Sequence, residues 1–192
     1  MDRDPAREPG AVYIRPLRLE DSPALLELRV RNRTLFQPFE PVQDERHFTL
    51  EGQRREIAVC ADDAAADRRY AFGIFRSGDD VLVGRVALSN VSRGAWQNAT
   101  VGYYVDGRWQ GRGYATQAVR LTLAFAFEEA GLHRVQAGVI PGNGASARVL
   151  EKAGFRREGH APRYLEINGA WRDHDLFAIT IEEWDPEGAR RS

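Results

Sequence analysis

The order of local signals in this 192-residue sequence predicts one mixed α/β domain, a central sheet with helices on both faces. Three observations carry that prediction. Strand-like and helix-like segments follow one another as strand, two helices, three strands, helix, strand, helix, two strands. Two turn signals, Ser77-Gly78-Asp79-Asp80 and Asn168-Gly169, join neighbouring strands as hairpins. A segment that is apolar nearly all round, residues 116–130, must be a buried helix.

Each element has a local reason. Residues 12–16 alternate apolar and polar and read as the first strand. Asp21-Ser22-Pro23 opens a helix, with a capping side chain followed by a proline whose missing N–H costs nothing there. Leu25, Leu28 and Leu35 fall at spacings compatible with one face of it. Pro38 and Pro41, bracketing Phe39 and Glu40, predict an ordered loop over residues 36–41. A second helix is expected over about residues 48–60, then an Ala/Asp-rich connector to residue 69. Residues 70–75 and 81–88 form the first predicted hairpin and residues 99–105 a third strand rich in Val and Tyr. Gly131 ends the buried helix with the residue best suited to a left-handed cap. Residues 135–140 read as a strand and residues 146–153 as a short helix closed by Gly154. From Phe155 the chain is extended again, through the Asn168-Gly169 turn to a last strand over residues 171–181.

Composition bounds what this domain can do. Hydrophobic residues make up 43% and charged residues 29%, which excludes a disordered tail, a collagen-like repeat and a disulfide-stapled mini-protein. A chain of this length buries roughly 70% of its unfolded surface and needs no staple. The net charge of −1 gives no basic field, so direct nucleic-acid binding is not expected. The longest apolar run, around Leu123 and Phe127, is far below the roughly 20 residues that span a bilayer. Residues 1–10 are polar and charged, with no apolar stretch of a secretory signal, and are expected to be a mobile N-terminal segment. The domain is then residues 11–185, with residues 186–192 as a tail, and the expected compartment is the cytoplasm. The lone Cys60 reads as a buried thiol. None of the four histidines has metal-ligand spacing, so no metal site is expected.

One segment carries chemistry. Tyr103-Tyr104-Val105 runs through a Gly-rich turn, Gln110-Gly111-Arg112-Gly113, into the helix beginning near Tyr114-Ala115-Thr116. Glycines let the backbone approach a ligand, and the unpaired N–H groups of a helix start form an anion site suited to a pyrophosphate. A P-loop is excluded because no Gly-Lys-Ser/Thr follows, and the turn does not open the βαβ unit of a dinucleotide fold. Neighbouring strand residues point to opposite faces, so at most one of Tyr103 and Tyr104 is expected to line a cleft.

The spacing Gln110-x-x-Gly113-x-Ala115, with Asn143-Gly144-Ala145-Ser146 and the closing Lys152-Ala153-Gly154-Phe155, resembles the GNAT superfamily of acyl-CoA N-acyltransferases. Asn32-Arg33, Phe39-Glu40-Pro41-Val42, Ser89-Asn90-Val91, Trp109-Gln110-Gly111, Tyr164 and Trp171-Arg172-Asp173-His174 narrow it to the RimJ-type ribosomal-protein alanine N-acetyltransferases. The likeness covers about residues 13–184.

The resemblance implies a mixed, mostly antiparallel seven-stranded sheet with a splayed strand pair, helices on both sides, and acetyl-CoA as donor. The splay falls between residues 103–105 and 135–140. Backbone at Tyr104 and Val105 would hold pantetheine and polarise the thioester, and N–H groups from Gly111 through Thr116 would take the pyrophosphate, with Gln110 and Arg112 in the same turn. Asn143 would contact the pantetheine arm. Many family members use a tyrosine where this chain has Leu150; in RimJ and RimL relatives a serine one turn earlier serves, and Ser146 matches it. For the base, Glu166 lies one residue from the matching strand position, and Glu40 is the alternative, as base or amine anchor. Phe36, Phe39 and Asn90 join Glu40 as acceptor-binding candidates.

The acceptor implied is a protein N-terminus, with a small amine or antibiotic as the rival; a non-catalytic acyl-CoA-binding module is the third reading, and monomer and homodimer remain open. An α-amine suits a site without an embedded base. At pH 7.5 its deprotonation costs about 0.3–0.7 kcal/mol, against about 4 kcal/mol for lysine. An open, acidic groove around residues 36–45 would favour a peptide and a closed pocket a small amine.

Overall fold

The computed structural model describes residues 10–186. The N-terminal segment and the tail predicted from sequence lie outside the described residues, apart from Gly10 and Pro186.

Seven strands form one sheet in the order β1-β2-β3-β4-β5-β7-β6. They are β1 (Val12–Pro16), β2 (Tyr70–Arg76), β3 (Leu82–Ser92), β4 (Asn98–Val105), β5 (Arg134–Val139), β6 (Arg156–Ile167) and β7 (Ala170–Thr180). Every neighbouring pair is antiparallel except β4 and β5, which run parallel. The helices are α1 (Ser22–Arg31), α2 (Arg33–Phe36), α3 (Leu50–Ala65), α4 (Tyr114–Ala124) and α5 (Gly144–Lys152).

The strand alternation sorts side chains to the two faces. Phe72, Ile74, Val86, Leu88 and Val101 pack with α4 residues Ala118, Val119 and Leu123 and with Leu150 of α5. On the other face Leu25 and Leu28 of α1, Phe36 of α2 and Ile57 of α3 cover Phe75 and Leu82. Leu25, Leu28 and Leu150 are fully buried, each worth about 2 kcal/mol of transfer free energy.

The Gly-rich and Asn-Gly turns behave as their chemistry requires. Asn168 and Gly169 both take positive φ, at 49° and 75°, the pattern of a type I′ hairpin. Gly131, after α4, sits at φ 61°.

Several boundaries differ from the sequence expectation. The first helix breaks at Asn32, so Leu35 leaves the face of Leu25 and Leu28 and is exposed. Asp21 precedes α1 without capping it, because its carboxylate is held by Arg15 at 2.7 and 2.9 Å. The expected loop around Pro38 is mostly helical: α2 reaches Phe36 and a 3-10 turn covers Gln37–Phe39, with proline in the first turn where it is tolerated. Only at Glu40 does the backbone become extended. The second helix begins after the side-chain cap of Thr49 and runs on to Ala65, taking in part of the connector. The buried helix starts at Tyr114, directly after Gly113, and its last turn, Phe125–Glu129, widens to a π-helix.

Candidate active site

The parallel pair is where the sheet opens. Only Asn98, Ala99 and Thr100 of β4 pair with Arg134, Val135 and Gln136 of β5. Beyond Thr100 the strands part, while β4 stays bonded to β3 up to Val105 and β5 to β7 up to Val139. The splay therefore begins at Ala137, two residues beyond Val135, and the facing edges of residues 101–105 and 137–139 carry backbone groups that the β4–β5 ladder does not use. Buried backbone groups need partners, so this gap is built for one.

A cavity of about 600 Å³ lies beside the free end of β4, among α2, the Gly-rich turn and α5. On one side lie Phe36, Phe39 and Glu40, with Tyr104 and Val105 of β4. Gln110, Gly111, Gly113, Tyr114, Ala115 and Thr116 add the turn and the start of α4 to its lining. Asn143 and Ser146 enter from α5. Arg112 is exposed beside this cradle and does not line it; its guanidinium lies 5.0 Å from the Trp109 ring centre. Glu166 is exposed on β6, and Asn90, with φ 53°, is exposed next to the irregular β3–β4 pairing; neither is brought to the cavity.

Both Tyr103 and Tyr104 line the cavity, against the expectation of one. They do point to opposite faces, but the splay opens the cavity to both. Tyr104 packs on Phe36 at 4.8 Å between ring centres. Tyr103 reaches the other way, its hydroxyl 2.9 Å from the Ser146 hydroxyl and 3.1 Å from the Ser146 carbonyl oxygen.

That contact defines Ser146. The N-cap of α5 is the side chain of Asn143, which accepts from the Ser146 backbone N–H at 3.2 Å. The Ser146 hydroxyl is thereby free of the capping role and joins the Tyr103 phenol. Burial pushes the Tyr103 pKa up to about 12, against a smaller opposing effect of the Ser146 hydrogen bond, so the phenol stays protonated at neutral pH. The pair can hand a hydrogen bond along to a negative atom in the cavity. Leu150, where the resemblance implied that many relatives carry a tyrosine, is fully buried and offers none.

The start of α4 suits a phosphate. Gly113 is its N-cap at φ 82° and no side chain caps it. A Cβ at Gly111 or Gly113 would meet nothing within 4 Å, so open space lies over both glycines. The indole N–H of Trp109, which also lines the cavity, is buried without a partner. The cavity volume is within the range of cofactor sites. These features fit acetyl-CoA, which supplies an activated acetyl carbonyl and a thiolate leaving group.

Glu40 is not a free carboxylate. The Arg29 side chain, 3% exposed, donates to both of its oxygens at 2.7 and 2.8 Å. Arg29 is held in turn between Tyr104 and Phe36, 5.1 and 5.5 Å from their ring centres. The Glu40 carbonyl accepts from the Asn168 N–H at 3.0 Å, so the β6–β7 turn braces the acceptor side. At the other end Asn32 accepts from the Gly107 N–H at 2.9 Å and Arg31 meets the fully buried Asp106 at 2.7 Å, tying α1 to the start of the cofactor turn. The remaining carboxylates of this stretch are matched too: Asp44 by Arg46 and Glu45 by Arg33. The groove is thus charge-balanced rather than acidic.

Cys60 lies apart in α3, where burial pushes its thiol up to about 11. Among the described residues, no group of three or more His, Cys, Asp or Glu side chains could hold a metal ion, and no helix is long and apolar enough to cross a membrane.

A splayed parallel pair, an uncapped glycine turn and a hydroxyl pair facing the gap define an acyl-CoA-dependent transferase. The chain belongs to the GNAT acetyltransferases: the family model described as acetyltransferase (GNAT) domain matches residues 11–156. It is an N-acetyltransferase, and acetyl-CoA is the donor this family uses. A probable N-acetyltransferase, YjcK, of Bacillus subtilis (strain 168) is 45% identical over 168 residues, covering 88% of this chain and 93% of the relative. The [ribosomal protein uS5]-alanine N-acetyltransferase of Escherichia coli (strain K12) is 31% identical over 175 residues, covering 91% and 90%. Among solved structures, Mycobacterium smegmatis RimJ in complex with CoA-disulfide superposes with a TM-score of 0.89 at 36% identity, covering 96% of this chain and 90% of that one.

Proposed function

We propose that this enzyme transfers the acetyl group of acetyl-CoA to the N-terminal α-amine of a protein, an alanine-starting ribosomal protein being the preferred acceptor, in the cytoplasm. The observation that carries this reading is the Arg29–Glu40 pair on the acceptor side of the cavity. Its carboxylate keeps outward lone pairs for an ammonium group, while two hydrogen bonds from Arg29 fix it in place as an anchor. An α-amine is already partly neutral near pH 7.5, so a carboxylate that only anchors it is enough on the acceptor side. The exposed side chains of Phe39 and Val42, 50% and 71% accessible, offer an apolar shoulder where a peptide leaving the cavity could rest. The name of the Escherichia coli relative supports the same acceptor.

In this reading the Tyr104–Val105 backbone and the Gly111–Thr116 amides hold the donor. Asn143 orients the arm and Ser146 hydrogen-bonds the departing sulfur. Glu40 anchors the amine, with Phe36 and Phe39 beside it. Glu166 and Asn90 have no part in it.

Mass spectrometry of a panel incubated with acetyl-CoA tests it. The panel contains Ala-, Ser- and Met-starting peptides, a peptide with a blocked N-terminus and a lysine, and a polyamine. Acetylation of the Ala-starting α-amine is expected. Acetylation of the polyamine alone would overturn the peptide reading in favour of a small amine.

A further inference from the structure

A second, smaller cavity of about 180 Å³ lies at the splay, lined by Gly138 and Val139 of β5, Tyr103 of β4, Ser146, Phe39 and, from β7, His174. No carboxylate lines it, and its titratable side chains are Tyr103 and His174. Phe39 borders both this cavity and the acceptor side of the larger one, and Ser146 borders both on the donor side. The smaller cavity therefore spans the place where amine and thioester must meet.

His174 is 3% exposed and its ring is fixed. Its Nδ1 lies 3.0 Å from the carbonyl oxygen of Arg172. A carbonyl only accepts, so Nδ1 carries the hydrogen of the neutral ring and Nε2 carries the lone pair. Gly138 leaves room for the ring against β5: a Cβ there would meet His174 Cδ2, the atom next to Nε2, at 3.2 Å. Tyr164 of β6 packs edge-on at 5.6 Å. No protein atom hydrogen-bonds Nε2 among the described residues. The neighbouring Asp173 and Asp175 point to the opposite face, where they engage His160, Arg157 and the Arg163 N–H. On the elements packed around the ring, the remaining titratable neighbours are the phenols of Tyr164 and Tyr103.

We propose that His174 Nε2 is the proton acceptor of the acetyl transfer. The anchored ammonium first gives one proton to solvent, and the neutral amine then forms the new N–C bond at the thioester carbonyl. As the C–S bond breaks, the amine's proton passes to Nε2, directly or through one water in the cavity. The electron pair leaves with sulfur, which takes a hydrogen bond from the Ser146 hydroxyl backed by Tyr103. The imidazolium then returns its proton to solvent, and the thiolate is protonated as it leaves. This rests on the acetyltransferase activity of the family, not on the choice of acceptor. It leaves Glu40 the second of its two expected roles, anchor rather than base, and gives the base to His174.

Two variants separate position from basicity. His174→Asn keeps an N–H where Nδ1 sits and removes Nε2; His174→Gln puts an amide near Nε2 that cannot take a proton. Turnover is followed from pH 5.5 to 9.5 with whichever amine of the panel the wild-type enzyme acetylates. Both variants are expected to lose about 100-fold or more in kcat at pH 7, the range of a general base. The acetyl-CoA KM should stay within about twofold, and the deficit should persist above the amine's own pKa, because the proton at issue is the one lost as the N–C bond forms. A folded His174→Asn enzyme with kcat within about threefold of wild type and the same acidic limb would overturn the proposal. Nitrogen-15 NMR of the wild-type full chain tests it without any variant, with His174 assigned through its contacts to Gly138 and Tyr164. The Nδ1–H tautomer is expected, and an Nε2–H tautomer would overturn it. A wild-type enzyme that acetylates no panel amine would count against the acceptor reading, and the tautomer would still decide the role of His174.

Discussion

Replacing Glu40 by glutamine asks whether that carboxylate is a base or an anchor. The magnitude follows from its partner. Arg29 is 3% exposed and gives both its charge-assisted hydrogen bonds to Glu40, which is itself 20% exposed. Removing one partner of a fully buried pair costs about 3–5 kcal/mol. The cavity gives Glu40 some solvent, and glutamine keeps one acceptor for Arg29, so Glu40→Gln should cost about 2 kcal/mol. For a chain of this size that is a fall in Tm of about 4–8 °C. Urea titration should show a lower midpoint with an unchanged slope. In steady-state assays the amine KM should rise, because an ammonium loses its counter-charge, while kcat changes less than about tenfold and the pH profile keeps its acidic limb. A variant as stable as wild type, with kcat down about 100-fold and that limb abolished, would refute the anchor and make Glu40 the base.

Ser146→Ala should lower kcat about 10- to 100-fold, the worth of a hydrogen bond to a charged sulfur, and Tyr103→Phe about 3- to 10-fold; because the two hydroxyls form one chain, the double variant should be no slower than Ser146→Ala, as rapid kinetics of the chemical step will show. Gly113→Ala puts a side chain at φ 82°, a backbone cost of about 1–2 kcal/mol, and fills open space over the start of α4, so calorimetry should find CoA affinity reduced by more than about tenfold while Gly159→Ala, with nothing within 4 Å and an ordinary φ, leaves it intact. Arg93, foremost, and the Tyr70 hydroxyl hold Asp67 down to about 2, so its contribution to stability is present above the usual carboxylate value of 3.8 and is lost as pH falls through about 2; Asp67→Asn should flatten the fall of the urea midpoint between pH 5 and 3.

Local chemistry made much of this fold legible. Hairpin turns announce themselves because Asn168-Gly169 can adopt left-handed angles at little cost, and β1 follows from simple alternation. The cofactor turn was readable because an anion site at a helix start is built from backbone, and glycines mark where backbone must come close. Helix limits were misplaced where a signal has two meanings. Pro38 reads as a breaker, yet it sits in the first turn of a 3-10 helix; Asp21 reads as a cap, yet Arg15 takes its carboxylate. Pairings across long sequence distance left no local trace. Tyr103 and Ser146 stand 43 residues apart and meet because β4 and α5 flank the same gap. Arg29 looked like one of many helix arginines, and nothing local tells that it holds Glu40. His174 stood in the quoted Trp171-Arg172-Asp173-His174 run, but which side of β7 faces the splay is set by the sheet.

The splay explains why polar groups collect where a core would otherwise form. Three residue pairs hold β4 and β5 together, and beyond Thr100 and Gln136 the ladder ends. Continuing it would bury the facing N–H and C=O groups against each other and close the sheet; ending it leaves them for water or ligand. An unsatisfied buried backbone group costs about 1–3 kcal/mol, so a ligand that supplies amide partners along both edges gains free energy that a flat sheet could not offer. The same opening admits side chains from both faces: Tyr104 and Arg29 with Glu40 on one, Tyr103 with Ser146 on the other, and His174 along the β5 edge. Acid-side and base-side groups can then act on one carbon without meeting each other. A sheet paired throughout would separate Tyr103 from Tyr104 by its full thickness, and the two chemistries would have no common space.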